Sequence, residues 1–376
     1  MQSVSKLPQL KSTRILVRVD YNVPLKGSRI VDSRRIDASL VTVRMILKKG
    51  GTPVLLAHLG EGGESLRPVA TYLSKLFPKV VFVTHDLTDP RIIEILDQVP
   101  KGTVVLLENI RRYEGETTNA SVFAKALAKL GTYYVNDAFS VSHRAHASVI
   151  GVPRYMPAYA GLQLLAELKA LKGVLENKKH PFLFMLGGAK FATKIPLLKQ
   201  FLTKADKLII TGAILNNFYQ VAGFEVGDSV VESGYDAIIT KLLKNPKVLL
   251  PIDTIVVRAG KKLVLTPAEI APGDVIVDIG PQSIALIEQE VSKAKLVVWN
   301  GPTGWYEKKF DKGTAAVARA IVSSKAHAVI GGGDTGAVIE KVIDKVESKR
   351  IFVSTGGGAT LEYLSKGTLP GIKALK

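Results

Sequence analysis

The stretch ILVRVDYN, residues 15–22, joins an almost continuous β-branched run to the polar residues Asp20 and Asn22. Apolar runs without strict alternation suit parallel strands buried on both faces. Downstream, residues 35–48 repeat their apolar positions with helical spacing, and residues 54–57 form a second apolar run that ends at His58. Strand, helix and strand in that order make a right-handed βαβ unit, and a sheet of such units binds ligands just outside the carboxyl ends of its strands. The pattern recurs along the chain. Apolar runs at 80–84, 104–107, 133–135, 182–186, 207–210, 248–250, 275–277, 296–299, 328–330 and 351–354 are interleaved with helical stretches such as 69–77, 121–129 and 162–175. The fold class expected is α/β, with two doubly wound parallel-sheet (Rossmann-like) domains joined by a helix and hinge.

At 376 residues the chain exceeds what one hydrophobic core ordinarily serves. The helical stretch 162–175 runs into a polar segment and then Pro181, a signal for a connection between domains. The expected division is a first domain at 1–160, a connecting helix and hinge at 161–180, a second domain at 181–366, and a tail at 367–376. No apolar run approaches the length of a membrane span, and the first residues carry no apolar signal core. With no cysteine there is no disulfide, thiolate nucleophile or zinc–thiolate site. A cytoplasmic protein without a membrane partner is the expectation.

The net charge of +18 raises a nucleic-acid partner. The excess is spread over the whole chain, however, and no aromatic stacking platform accompanies it, so no specific nucleic acid is expected. Arginine is distributed differently, with 12 of the 15 in residues 1–175. Guanidinium groups grip carboxylate and phosphate bidentately, which marks the first half as the anion-recognition half.

The residues after each strand separate the two halves further. In the first, the runs lead into Asp20 and Asn22, into His58, into Glu108-Asn109-Ile110-Arg111, and into Asn136-Asp137 followed by His143-Arg144-Ala145-His146. Such a rim suits a small, highly anionic, hydroxylated ligand. His143 and His146 have no third ligand at useful spacing, so a metal site is not expected there. In the second half the runs lead into glycines: Gly187-Gly188, Gly212-Ala213, Gly280, Gly301, Gly331-Gly332-Gly333 and Gly356-Gly357-Gly358. Glycine lets backbone approach a phosphate, and helix N-termini offer unpaired N–H groups to it. Lys190 and Lys194 flank one such turn, and Asp334 could reach a phosphate-bound Mg²⁺. There is no P-loop motif. Gly331, Gly333 and Gly336 satisfy the dinucleotide spacing, but the next run ends in Ser354-Thr355-Gly356 instead of the acidic ribose partner, which sets a dehydrogenase well behind.

Together, 17–24, 107–109, 136–139 with 143–146, 187–190, 299–302, 331–335 and 354–359 resemble the phosphoglycerate kinase family, in the family's order and over essentially the whole chain. The resemblance implies a monomer that transfers a phosphoryl group from 1,3-bisphosphoglycerate to MgADP, giving 3-phosphoglycerate and MgATP, with closure about a hinge. It implies that Asp20, Asn22, Arg35, His58, Arg111 and Arg144 bind 3-phosphoglycerate. It implies that Lys194, Gly212, Ala213, Asn300, Glu307, Gly332, Gly333, Asp334 and Thr335 bind the nucleotide, with Asp334 at the Mg²⁺ on its phosphates. Arg35, Lys190, Lys194 and the helix N-terminus at Gly357 would meet the transferring phosphoryl, and the tail would pack back on the first domain. Three positions depart from the family. Glu61 stands where an arginine is usual, the adenine-side glycine run is reduced to Thr211-Gly212-Ala213, and Gln282 replaces an acidic residue after Gly280-Pro281. Coulomb repulsion predicts that Glu61 turns away from the site, and Arg67 is a candidate for the missing positive charge.

Overall fold

The computed structural model describes residues 1–8, 10–176, 179–342 and 350–375, apart from the side chains of Asp334 and Glu340. It forms two compact units, Met1–Lys169 with Lys366–Lys376, and Ala170–Ser365. The division falls inside the helix Leu162–Leu175.

The first unit holds strands β1 (Arg14–Arg18), β2 (Leu25–Lys26), β3 (Arg29–Ile30), β4 (Thr52–Leu56), β5 (Val80–Val83), β6 (Val104–Leu107), β7 (Tyr133–Asn136) and β8 (Ala158–Ala160). Six of them make one parallel sheet in the order β5-β6-β4-β1-β7-β8, while β2 and β3 pair as a small antiparallel hairpin. Ile15, Leu16 and Val17 are all buried, as a strand covered on both faces requires. The helix Arg34–Lys48 buries Ile36, Leu40, Val43 and Ile46, three or four residues apart, in the same core as Ile15, Val17 and Leu55. Because all six strands run the same way, the residues after β1, β4, β6 and β7 reach one edge. The segment Lys366–Lys376 belongs to this unit: Leu369 and Leu375 are buried, and the Gly371 N–H donates to the Ser142 carbonyl at 2.8 Å.

Asp137, just past β7, caps the helix Leu162–Leu175 by accepting the N–H groups of Gln163 (2.9 Å) and Leu164 (3.2 Å) on Oδ1. Burial pushes its carboxyl up to about 7, outweighing the hydrogen bonds from Thr42, Leu164 and Gln163 that lower it. A raised carboxyl pKa contributes stability below the unfolded value near 3.8 and loses it as pH rises to about 7, because the folded state keeps a proton the unfolded chain has released. Asp137→Asn, which cannot titrate, should therefore gain stability relative to the parent between pH 4 and 7, with no further gain above. Urea unfolding at pH 5 and pH 8 reads this; an equal difference at both would sink it.

The second unit holds β9 (Phe182–Leu186), β10 (Lys207–Ile210), β11 (Val248–Leu249), β12 (Thr254–Arg258), β13 (Lys261–Leu265), β14 (Val275–Ile279), β15 (Leu296–Asn300), β16 (His327–Gly331) and β17 (Ile351–Val353). Its main sheet is parallel, in the order β11-β10-β9-β15-β16-β17. This is the dinucleotide-type order, and the direction of winding reverses between β9 and β15. Phe184 stacks on Phe201 at 4.3 Å between ring centres, and Trp299 is buried in the core with Met185 and Val317. The apolar run at 275–277 is not a strand of this sheet. It lies in β14 of a separate antiparallel sheet, ordered β13-β12-β14. The link from β12 to β13 is Ala259-Gly260 with φ of +48° and +77°, a two-residue turn whose twist suits a hairpin. Lys261 and Lys262 leave β13 largely exposed, so it lacks the apolar run that marks a buried strand.

Candidate active site

At the carboxyl edge of the first sheet, the Asp20 carboxylate is nearly buried and fully engaged. Oδ1 accepts the Asn22 N–H at 3.1 Å; Oδ2 accepts the Ser140 hydroxyl and lies 3.1 Å from Arg35 Nη1. Arg35, second residue of the helix Arg34–Lys48, also donates to the Asn22 carbonyl at 3.0 Å. Asn22 Oδ1 accepts the Gly60 N–H at 3.0 Å, tying the turn after β4 to the end of β1. Asn109 clamps the same turn by donating to the Leu59 and Glu64 carbonyls at 2.7 and 2.9 Å, and its Oδ1 accepts the Arg111 N–H at 3.1 Å. Arg111 then donates to the Gly60 carbonyl at 3.1 Å.

The arrangement brings Asp20, Asn22, Arg35, His58 and Arg111 together, and electrostatics add Arg144. Burial, followed by Arg18, Arg111, Arg144 and Arg35, drives the pKa of His58 far below its ordinary value, so the ring is neutral. Burial, then Arg144, Arg111, Arg18 and His143, pushes His146 down to about 4. Four guanidinium groups acting on one buried imidazole form a pocket of positive potential, suited to a small ligand with several negative charges.

Arg18 was not among the residues expected at the site. It is 1% exposed and ends β1 between the buried Val17 and Val19, breaking the apolar run 15–19, which is a signal in itself, since an unpaired buried charge is very costly. What the sequence did not show is the partner. The Nε–H donates to Ser148 at 2.8 Å, and Ser148 in turn donates to Glu116, which stands 32 residues before it.

Glu61 does not turn away from the arginines. Its side chain is 96% exposed, yet Oε2 lies 3.2 Å from Arg111 Nη1, and it raises the pKa of Arg144 against burial. Attraction to these two cations outweighs the repulsion argued from its charge. The guanidinium of Arg67, the candidate for the missing charge, stacks over Phe82 at 5.3 Å from the ring centre.

In the second unit the strand-end glycines divide into two sets. Gly187, Gly212 and Gly301, at the ends of β9, β10 and β15, pack against neighbouring backbone where the winding reverses. A methyl group on Gly187 would meet the Pro302 carbonyl oxygen at 2.2 Å, and one on Gly212 the Gly188 nitrogen at 2.4 Å. The Gly188 and Gly212 N–H groups donate to the carbonyls of Pro302 (3.1 Å) and Thr303 (3.0 Å), and Ala213 caps the helix Ile214–Val221. By contrast, a methyl group on Gly357 or Gly358 would meet no atom of the described residues within 4 Å. Gly333 starts the helix Gly333–Glu340, and Gly358 starts the helix Gly358–Lys366. Gly332, with φ of +100°, caps the first of them. Two nearby buried side chains carry atoms without a hydrogen-bond partner among the described residues: Asn300 Nδ2, beside Gly331, and Thr335 Oγ1, beside Gly332. Lys194 is 7% exposed, its ammonium lowered by burial and by Lys190 against the opposing pull of Glu232. Lys190 and Glu307 are exposed. The side chain of Asp334 lies outside the described residues.

A family model described as phosphoglycerate kinase matches residues 4–367. The chain belongs to the phosphoglycerate kinase family. A phosphoglycerate kinase of Syntrophobacter fumaroxidans is 40% identical over 394 aligned positions, covering 100% of this chain and 98% of that one. One from Moorella thermoacetica is 39% identical, with 98% and 97% covered. Among solved structures, the phosphoglycerate kinase of Coxiella burnetii has a TM-score of 0.81 at 36% identity, with 99% and 98% covered. That of Pyrococcus horikoshii OT3 has a TM-score of 0.88 at 27% identity, with 100% and 98% covered. The family therefore spans the arginine rim, the glycine ends and the antiparallel β12–β14 sheet alike. Among the described residues no group of three or more His, Cys, Asp or Glu stands together to hold a metal ion, and no helix is long and apolar enough to cross a membrane. A cation carried in on nucleotide phosphates needs no such protein cage.

Proposed function

We infer that this chain catalyses reversible phosphoryl transfer between 1,3-bisphosphoglycerate with ADP and 3-phosphoglycerate with ATP, the step of glycolysis that moves a phosphoryl group from a carboxyl phosphate to a nucleotide. The observation that carries the reading is the cluster of Arg35, Arg111 and Arg144 around a neutral His58 on one sheet edge. Arg35, Arg111 and Arg144 hold the phosphate and carboxylate of the acid, His58 donates a hydrogen bond to it, and Asp20 with Asn22 fixes Arg35. Family membership and the winding reversal between β9 and β15 support a nucleotide on the second unit. There Gly212 and Ala213 lie against the base, Glu307 at the ribose, and Asn300, Gly332, Gly333 and Thr335 at the phosphates. Bound Mg²⁺ would neutralise phosphate oxygens, Asp334 would be the residue to hold it, and the Thr335 hydroxyl, unpaired among the described residues, fits such a phosphate–metal group.

Phosphoryl transfer needs positioning and positive charge more than covalent help. Arg35, Lys190, Lys194 and the backbone at Gly357 supply that charge. No general base is required, because a carboxylate nucleophile has no proton to lose. The two groups of residues stand on separate units, so the reading includes a hinge motion that brings them together and excludes water. It also has the protein act as a cytoplasmic monomer. A coupled assay of ATP formed from 1,3-bisphosphoglycerate and ADP tests the reaction; no ATP above the uncatalysed rate overturns it.

Glu61→Gln should lower KM for 3-phosphoglycerate about two- to threefold, since it frees Arg111 from an exposed, solvent-screened partner. Arg67→Ala should change neither KM, because its guanidinium lies on Phe82. Steady-state kinetics with each substrate varied checks both, and a several-fold rise in KM for the acid on removing Arg67 would restore its binding role.

A further inference from the structure

Arg18 makes contacts beyond those that balance its charge. A guanidinium has five N–H donors and no acceptor. Nη1 donates to the carbonyls of Val19 and Leu56, and Nε–H donates to Ser148 Oγ at 2.8 Å. Ser148 then donates its hydroxyl to Glu116 Oε1 at 2.6 Å and its N–H to Oε2 at 2.9 Å, so the buried carboxylate compensates the buried cation through one serine. The remaining group, Nη2, lies 3.2 Å from His58 Nδ1.

That contact settles which ring nitrogen carries hydrogen. The guanidinium can only donate, so Nδ1 accepts, and a neutral imidazole must then carry its proton on Nε2. His58 is 2% exposed, and Nε2 has no hydrogen-bond partner among the described residues. Buried donors are normally paired, so an orphan at a site points to a ligand that completes it. Burial and the cations Arg18, Arg111, Arg144 and Arg35 all oppose protonation of the ring, and the Asp20 and Glu61 carboxylates on the same rim are engaged by Arg35 and Arg111. We propose that Arg18 is a positioning residue, which holds His58 as the Nε2–H tautomer and so presents an uncharged donor to an oxygen of the acidic substrate. The identity of that substrate rests on the function proposed above; the tautomer does not.

Two-bond ¹H–¹⁵N correlation spectra of the full chain labelled in histidine test this without any substitution. His58 should be the neutral Nε2–H form from pH 6 to 8, and its Nε2 signal should move on addition of 3-phosphoglycerate. An Nδ1–H tautomer, or an imidazolium at pH 7, overturns the proposal. So does an Nε2 signal that ignores saturating 3-phosphoglycerate in a preparation active in the coupled assay. Absence of coupled activity instead counts against the proposed reaction, and the tautomer of the free protein still decides the role of Arg18. Arg18→Met keeps the length and removes the donors. In that variant both tautomers should appear, and KM for 3-phosphoglycerate should rise ~10-fold with KM for ATP unchanged. A folded Arg18→Met protein with an unchanged His58 tautomer overturns the proposal. Should that variant fail to fold, the unsubstituted chain's spectrum decides alone.

Discussion

Lys194→Ala is expected to lower kcat by ~10²-fold or more while leaving thermal stability near that of the parent. The lysine sits at the start of the helix Ile195–Lys204, and little of it reaches solvent. Burial lowers its pKa, Lys190 adds to that, and Glu232 opposes both. Keeping an ammonium in such a place costs stability, so its removal should not harm the fold. The Nζ group would lie 3.6 Å from a methyl group on Gly188, at the end of β9 beside the winding reversal where open α/β sheets bind their ligands. A desolvated charge acts more strongly on developing phosphoryl charge than one in water. Turnover at saturating concentrations of both substrates, with a thermal melt on the same preparation, is the measurement. A near-normal kcat would remove Lys194 from the transfer step.

Gly301→Ala should destabilise the second unit by ~3 kcal/mol or more, since it adds backbone strain of about 1–3 kcal/mol to overpacking of about 1–3 kcal/mol. Its φ is +90°, where a side chain is disfavoured, and a methyl group would lie 2.3 Å from the Gly187 carbonyl oxygen. Backbone cannot rotate aside as a flexible side chain can. Relief would separate β15 from β9 and break the bonds from Gly187 to Asn300 (2.8 Å) and from Gly188 to Pro302 (3.1 Å). Gly358→Ala is the contrast. No atom of the described residues lies within 4 Å of the added methyl, so stability should stay within ~0.5 kcal/mol while kcat falls if a phosphate approaches that helix start. Denaturant unfolding of the two variants separates glycines that pack from glycines that face a ligand. Equal stability of both would show that the β9–β15 junction has slack the distances deny.

Much of this was legible in the sequence because it is local. The apolar run at 15–19 and Asp20 with Asn22 are neighbours in the chain, so a strand and the residues at its carboxyl end are read together. The same holds for His58 after β4 and Arg111 after β6, and parallel strands gather such residues on one edge whatever their order. By itself the sequence determined the α/β class, the arginine-rich first half and the glycine-ended second half. Tertiary structure alone decided the rest. The apolar runs of buried parallel strands look alike, so they do not specify that β1 lies between β4 and β7. That order is what sets Arg18 against His58, 40 residues away, and against Ser148, 130 residues away. Likewise the sequence shows glycines only as glycines. Whether one packs on backbone, as Gly212 does, or faces open space, as Gly358 does, depends on chain that arrives from elsewhere. Glu61 followed the same rule: repulsion from a ligand could be argued from its charge, but the attraction that places it on Arg111 required the turn after β4 to be folded over the end of β6.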